Sequence, residues 1–309
     1  MSHLRPDFRS AAALTAAAAC WGAATVITKS ILASVPPITL LVLQLAFSLT
    51  LLGSFVFLNR KRFAPTRDLW KLGGLGLLNP GISYTLSLLG LTTTTASMST
   101  LLWASEPVLI IGLAALLLRE RLTPRLLIFS ALAFFGVLWV SGLATDAGVG
   151  SATFGNLLIL GGVLCCALYT VLSRRIGSNI DPLFAVALQQ TCALIWAVCI
   201  WPLELLRSDT SVIVQLAVDH WFWIGLSGIT YYALAFWFYL RGLAQVNASV
   251  AGTFINLIPI FGIAGGYVFL GERLSMAQWI GATAILISVF AILLWPDRRT
   301  HSDSPTIAT

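Results

Sequence analysis

Residues 90–122 read GLTTTTASMSTLLWASEPVLIIGLAALLLRERL, and residues 242–274 read GLAQVNASVAGTFINLIPIFGIAGGYVFLGERL. Laid on each other without a gap, at a shift of 152 residues, they match Gly90-Leu91 to Gly242-Leu243 and Ala96-Ser97 to Ala248-Ser249. The same register puts Pro107 on Pro259 and Glu120-Arg121-Leu122 on Glu272-Arg273-Leu274. Four coincidences in one register mark an internal duplication. In the front part of each half, Pro37 matches Pro182 and Gln44 matches Gln189 at a shift of 145.

The material being duplicated is membrane-spanning. Of 309 residues, 58% are hydrophobic and 10% are charged, with a mean hydropathy of +0.90. Soluble domains carry about 25% charged residues, so a soluble enzyme, a disordered chain and a secreted disulfide scaffold are excluded. Apolar runs broken by short polar punctuation predict helices at 11–33, 37–58, 70–90, 95–118, 124–143, 154–173, 182–204, 221–241, 247–270 and 275–295. Runs of this length without strict alternation exclude a barrel. The expectation is an all-α integral membrane protein of ten transmembrane helices. It divides into a tail at 1–10, a first repeat at 11–143, an external loop at 144–153, a second repeat at 154–295 and a tail at 296–309. The first run resembles a signal peptide but continues past any small-residue cleavage point to Leu32, so it reads as a retained helix.

Charge sets the orientation. With the N-terminus in the cytoplasm, all but Lys29, Arg207 and Arg273 of the 18 Lys and Arg residues fall inside, including the clusters Arg60-Lys61-Arg62 and Arg119, Arg121, Arg125. The positive-inside rule therefore predicts an even number of spans with both termini cytoplasmic, in a bacterial inner membrane. The net charge of +6 is accounted for by this bias, with no nucleic-acid partner implied. A five-helix unit is odd, so the second copy enters from the opposite side. Inverted repeats of this kind mark secondary transporters.

The pattern Ser105-Glu106-Pro107-Val108 followed by Arg119-Glu120-Arg121-Leu122-Thr123 recurs as Ile258-Pro259 followed by Gly271-Glu272-Arg273-Leu274-Ser275. With Cys20-Trp21-Gly22 and Lys29, it resembles the EamA family of the drug/metabolite transporter superfamily, over about residues 11–295. The resemblance implies a ten-helix bundle with a central cavity and export of amino acids or other small metabolites. Many members carry an arginine in the second helix where this chain has Gln44-Leu45, so any substrate contact relying on that arginine is in doubt here.

Among the acidic residues, Glu106 sits about halfway along its predicted span, where a carboxylate costs about 2.5–3.5 kcal/mol on insertion scales. Two readings follow: a proton-coupling or substrate-amine site, or a hydrogen-bonded glutamate that fixes the kink at Pro107. Ser99, Trp103 and Glu106 recur at helical spacing and are expected on one face, where an indole beside a carboxylate suits an amine. Trp103 as core filler is the plainer account. Lys29 either snorkels to the interface or forms the positive pole of a zwitterion site with Glu106. Asn79-Pro80-Gly81 interrupts the third span, and Tyr84 and Tyr232 are candidate aromatic walls, with core packing as the alternative. Thr253 and Asn256 share a face just before Pro259, and Gln44 with the Gln189-Gln190 pair adds polar points. Pro80, Pro107 and Pro259 are the expected helix breaks. Glu120 and Glu272 end helices at an interface, where capping or ion pairing is expected.

The cysteines, Cys20, Cys165, Cys166, Cys192 and Cys199, lack Cys-x-x-Cys spacing, and His3, His220 and His301 fall in tails or a loop. No metal site, cofactor or catalytic residue is expected, and no Walker phosphate loop is present. A membrane-embedded enzyme would need clustered nucleophile, base or metal ligands. A channel would need polar rings or stripes. The expected activity is secondary transport of a small molecule by alternating access, an export coupled to protons through Glu106, with an uncoupled facilitator, exchanger or drug carrier as the alternative. Both halves lie in one chain, so a monomer can enclose its own site and an oligomer is not required.

Overall fold

The structure, a computed structural model, describes residues 8–58, 67–118, 124–141, 151–173, 182–206, 218–243, 254 and 257–294. Among these residues every regular element is helical. The α-helices are α1 Phe8–Ile31, α2 Pro37–Leu58, α3 Arg67–Gly74, α4 Ser83–Leu91, α5 Ala96–Trp103, α6 Glu106–Leu118 and α7 Pro124–Ser141. They continue as α8 Ser151–Ser173, α9 Pro182–Leu205, α10 Val218–Gly228, α11 Ala235–Leu243, α12 Ile258–Phe269 and α13 Met276–Leu294. Among the described residues, five stretches are long and apolar enough to cross a membrane: Phe8–Ile31, Pro37–Phe57, Ala96–Leu117, Ser151–Ser173 and Leu183–Leu205.

Local chemistry accounts for the starts. Proline is the first residue of α2, α7 and α9, where its missing N–H costs nothing. The Thr95 side chain accepts the Met98 N–H at the start of α5. At α13, Ser275 and Gln278 cap each other reciprocally: the Ser275 N–H reaches Gln278 Oε1 at 2.8 Å and the Gln278 N–H reaches Ser275 Oγ at 3.3 Å.

Three of the expected spans depart from a regular α-helix. The third passes from α3 through a 3-10 turn (Leu75–Leu77) and a π-turn (Leu78–Ile82), with Asn79 extended at φ −143°, ψ 118°. The fourth breaks at Ala104-Ser105, because Pro107 has no N–H to give the Trp103 carbonyl. The eighth stays helical throughout but loosens to a π-turn over Ile229–Leu234, which contains neither glycine nor proline. At the 152-residue shift the first π-turn lies within the second, so both halves carry a π-turn at one aligned place. The eighth span also begins earlier than expected, which puts His220 in the first turn of α10 rather than in a loop. The front of the ninth span, with Ser249, Thr253 and Asn256, lies outside the described residues, as do Glu120, His3 and His301.

Packing crosses between the halves in matched pairs. α1 lies against α11 and α12, and their counterparts pair likewise, α8 against α4, α5 and α6. α2 packs on α9, α5 on α12 and α7 on α13. Contacts of α2 with α10 mirror those of α9 with α3. These last depend on two glycines at equivalent places. A Cβ on Gly76 would strike the Gln189 backbone, and one on Gly228 would stand 2.6 Å from the Gln44 carbonyl oxygen. Close backbone approach of this kind drives helix association in lipid, where there is no hydrophobic force between helices.

Gly228→Ala should therefore lower stability in detergent by about 1–3 kcal/mol, the usual range for overpacking. Gly53→Ala, where a Cβ meets nothing within 4 Å, should leave it unchanged. Thermal unfolding of the two variants beside the parent chain checks this.

Candidate functional site: an aromatic space between the halves

The π-turn of the eighth span turns Tyr231 and Tyr232 toward α4, whose Tyr84 sits at the centre of the cluster. Tyr84 stacks on Trp103 at 5.6 Å between ring centroids, and contacts Tyr231 edge-on at 5.3 Å and Tyr232 at 5.2 Å. These geometries suit the quadrupoles of the rings. The rings border a space also lined by Thr25 and Thr28 of α1, Gln44 of α2, Ser87 of α4 and Ser99 of α5. Its free volume, about 20 Å³, corresponds to about one water molecule. Both halves supply walls. The lining is aromatic and hydroxylated, with no charged side chain.

Buried amides hold this arrangement. Gln44 donates to Thr28 Oγ1 at 3.0 Å and to Ser227 Oγ at 2.8 Å, joining α2 to α1 and α10. Gln190 accepts from Ser48 Oγ at 2.7 Å and donates to the Tyr232 carbonyl at 3.0 Å. That carbonyl lies within the π-turn, where the regular i to i−4 ladder is replaced by a looser one, and the amide adds a hydrogen bond from a neighbouring helix. Trp196 Nε1 donates to Thr85 Oγ1 at 3.2 Å. Ser87 Oγ and Asn79 Oδ1 are buried without a hydrogen-bond partner among the described residues.

Five expected site residues thus meet: Gln44, Tyr84, Ser99, Trp103 and Tyr232. Glu106 is not among the residues that line this space, and the break at Ala104-Ser105 interrupts the helical spacing that joined it to Ser99 and Trp103. It opens α6 instead, half-buried, and accepts a hydrogen bond from Cys166 Sγ of α8 at 3.2 Å. A helix N-terminus favours negative charge, which eases the placement of a carboxylate in mid-span. Asn79 lies at the break of the third span rather than along this space. Sequence reasoning passed over Thr25, Thr28 and Cys166. The first two stand at helical spacing from the deep Trp21, a polar stripe on an apolar helix.

Lys29 takes backbone carbonyls as its partners in this structure. Its ammonium donates to the Leu91 carbonyl at 2.7 Å and the Thr92 carbonyl at 3.4 Å, at the C-terminus of α4. The cause is the orphan carbonyls and negative dipole of a helix end. Two carboxylates do the converse at the same end of the bundle. Glu272, following α12, accepts the Ala96 N–H at 2.7 Å and the Ser97 N–H at 2.8 Å, together with Ser97 Oγ at 2.5 Å. Glu204, closing α9, accepts the Ile38 and Thr39 N–H groups at 2.8 and 2.7 Å, and Thr39 Oγ1 at 2.8 Å. Each carboxylate at a C-terminal end meets the N-terminus of a helix from the other half, so α9 runs antiparallel to α2 and α12 to α5. The capping expected of Glu272 is present. Glu204 carried no sequence signal beyond its place near a helix end.

Glu272→Ala leaves two helix-end N–H groups and a serine without their acceptor. It should destabilise the chain by about 1–3 kcal/mol, with Glu272→Gln intermediate because one acceptor oxygen remains. Thermal unfolding in detergent reads both.

Comparison with known proteins places this architecture. An uncharacterized transporter of Bacillus subtilis, YetK, is 26% identical over 71% of this chain and 67% of its own length. Another from that organism, YvbV, is 27% identical over 92% of this chain and 91% of its own. An uncharacterized transporter of Archaeoglobus fulgidus is 22% identical over 88% of this chain and 94% of its own. A crystal structure at 19% identity superposes with a TM-score of 0.63, covering 92% of this chain and 96% of that one, and so shares the fold. The EamA-like transporter family pattern matches twice, over residues 9–142 and 153–294, one match to each half. The duplication found in the sequence and the helix pairing across the halves thus converge on one conclusion: this multi-pass membrane protein belongs to the EamA-like transporter family.

Proposed function

We propose that this chain is a secondary carrier that exports amino acids or related small metabolites by alternating access between two inverted five-helix halves. The observation that carries the reading is the aromatic space at the aligned π-turns of both halves. Tyr84 and Trp103 from one half and Tyr231 and Tyr232 from the other enclose it. Broken helices at membrane depth are tolerated where they line a cavity, and binding at the junction of inverted repeats lets a small relative motion expose one site to either face. Contracted to about one water, the space must widen to admit a substrate.

The clamps set by Lys29, Glu204 and Glu272 support a state closed at their end of the bundle. Arg9, Arg67, Lys71 and Arg241 lie toward the opposite end, while Lys29 and Arg273 lie at the clamped one. The charge bias assigns the clamped end to the external side and both termini to the cytoplasm. The lining favours a substrate with an apolar or aromatic body and hydrogen-bonding groups. Its amine would be met by aromatic faces; Lys29, held by carbonyls, no longer offers a pole for its carboxylate. Glu106, one turn beyond Trp103 across the break, is the group proposed to respond to protons.

In proteoliposomes, saturable counterflow of a labelled amino acid is expected, and its absence across amino acids, nucleosides and organic cations would remove the carrier reading. Trp103→Ala and Tyr84→Ala should each lower transport by about two- to tenfold, the scale of one lost aromatic contact. Glu106→Gln should retain transport and flatten its pH dependence. An unaltered pH profile in that variant would exclude Glu106 as the proton-responsive group.

A further inference from the structure

At the clamped end, on the outer surface of the bundle, a groove of about 800 Å³ runs between α1, α10 and α12. It is separate from the aromatic space and shares no lining residue with it. Its floor is made of small residues, Ala19 and Ala23 of α1 and Ala264 and Gly265 of α12. At Gly265 a Cβ would come within 2.9 Å of Val26, so α1 and α12 touch below the groove and nothing larger fits there. The rim is strongly exposed and apolar: Trp223 is 47%, Val268 68% and Phe269 78% accessible. In a multi-pass membrane protein such a rim faces hydrocarbon, so the groove is continuous with the surface that already contacts the bilayer.

Length and polarity narrow the occupant. Lining residues on α1 run from Ala19 to Ile31, a stretch of thirteen residues that rises about 18 Å along the helix. One leaflet of a hydrocarbon core of about 30 Å is about 15 Å deep. The walls are apolar along this length and become polar only at the clamped end, where Ser30 and His220 lie. His220 Nδ1 is buried there with no hydrogen-bond partner among the described residues. A long apolar body with one polar end at the interface is the shape of a lipid chain. We infer that the groove binds one acyl chain of a phospholipid from the leaflet at the clamped end, with its polar end beside Ser30 and His220. Bound there, the chain would wedge between α1 of one half and α10 and α12 of the other.

The inference is independent of the transport reading, because lipid retention is measured without substrate. The full chain is reconstituted with phosphatidylethanolamine and phosphatidylglycerol, extracted in detergent and weighed intact by native mass spectrometry. One retained phospholipid per chain is expected. Ala23→Trp and Ala264→Trp, both at exposed positions on the groove wall, should cut retention by about fivefold or more, equivalent to the lower end of an overpacking penalty. Phe134→Trp, on an exposed apolar surface elsewhere, should not. Dibrominated acyl chains should quench the parent chain more than a Trp223→Phe variant, a readout in folded protein that needs no filled groove. Equal retention in the filled variants, or equal quenching with and without Trp223, would overturn the assignment and leave only ordinary boundary lipid. Loss of transport with lipid retention unchanged in the filled variants would also overturn it, marking the groove as a substrate route.

Discussion

A bilayer offers no water to a backbone group that has lost its helical partner, and this chain breaks its helices in mid-span. Each interruption therefore needs an answer from another element. At the π-turn of the eighth span the Tyr232 carbonyl is met by Gln190 from α9. At one end of the bundle the C-terminus of α4 is met by Lys29, and the starts of α5 and α2 by Glu272 and Glu204. These partners come from other helices, and both carboxylates reach across to the opposite half. Satisfying helix ends there is thus also what ties the halves together.

Because the ties at one end are charged or charge-assisted, they differ in kind from the glycine contacts deeper in the bundle. Gly76 on Gln189 and Gly228 on Gln44 bring backbones together at fixed places and give two rigid cross-half seams. A charged helix cap is a directional contact that can be exchanged for water once it reaches an interface. The aromatic space lies between, with walls from both halves, so relative motion of the halves must alter its size.

The helix irregularities illustrate how unevenly the site could be read in advance. Pro80 and Pro107 announced two of the three, since proline removes a donor wherever it stands. The third, over Ile229–Leu234, falls in an ordinary apolar sequence, Ile-Thr-Tyr-Tyr-Ala-Leu, and only its alignment with the Asn79-Pro80-Gly81 segment hinted at it. Tyr84, Trp103, Tyr232, Gln44 and Ser99 were recognisable as aromatic or polar residues too deep for an interface. Their meeting in one place was not. The helical spacing from Ser99 to Glu106 pointed to a shared face, and that argument fails wherever the helix it assumes is interrupted.

Composition, charge bias and the 152-residue self-match are properties of the chain alone, so the helical class, the duplication and the expected orientation follow from sequence. Lys29 and Glu272 were visible as charges near helix ends. Which backbone groups they satisfy depends on residues about 60 and 175 positions away, which no local pattern encodes. Tertiary structure decided that Lys29 closes an end instead of facing Glu106, that Glu204 is a cap, and that Glu106 meets Cys166. The physical reason is common to all three: a buried polar group takes the partner that packing brings within hydrogen-bond reach, and in this fold that partner comes from a different helix.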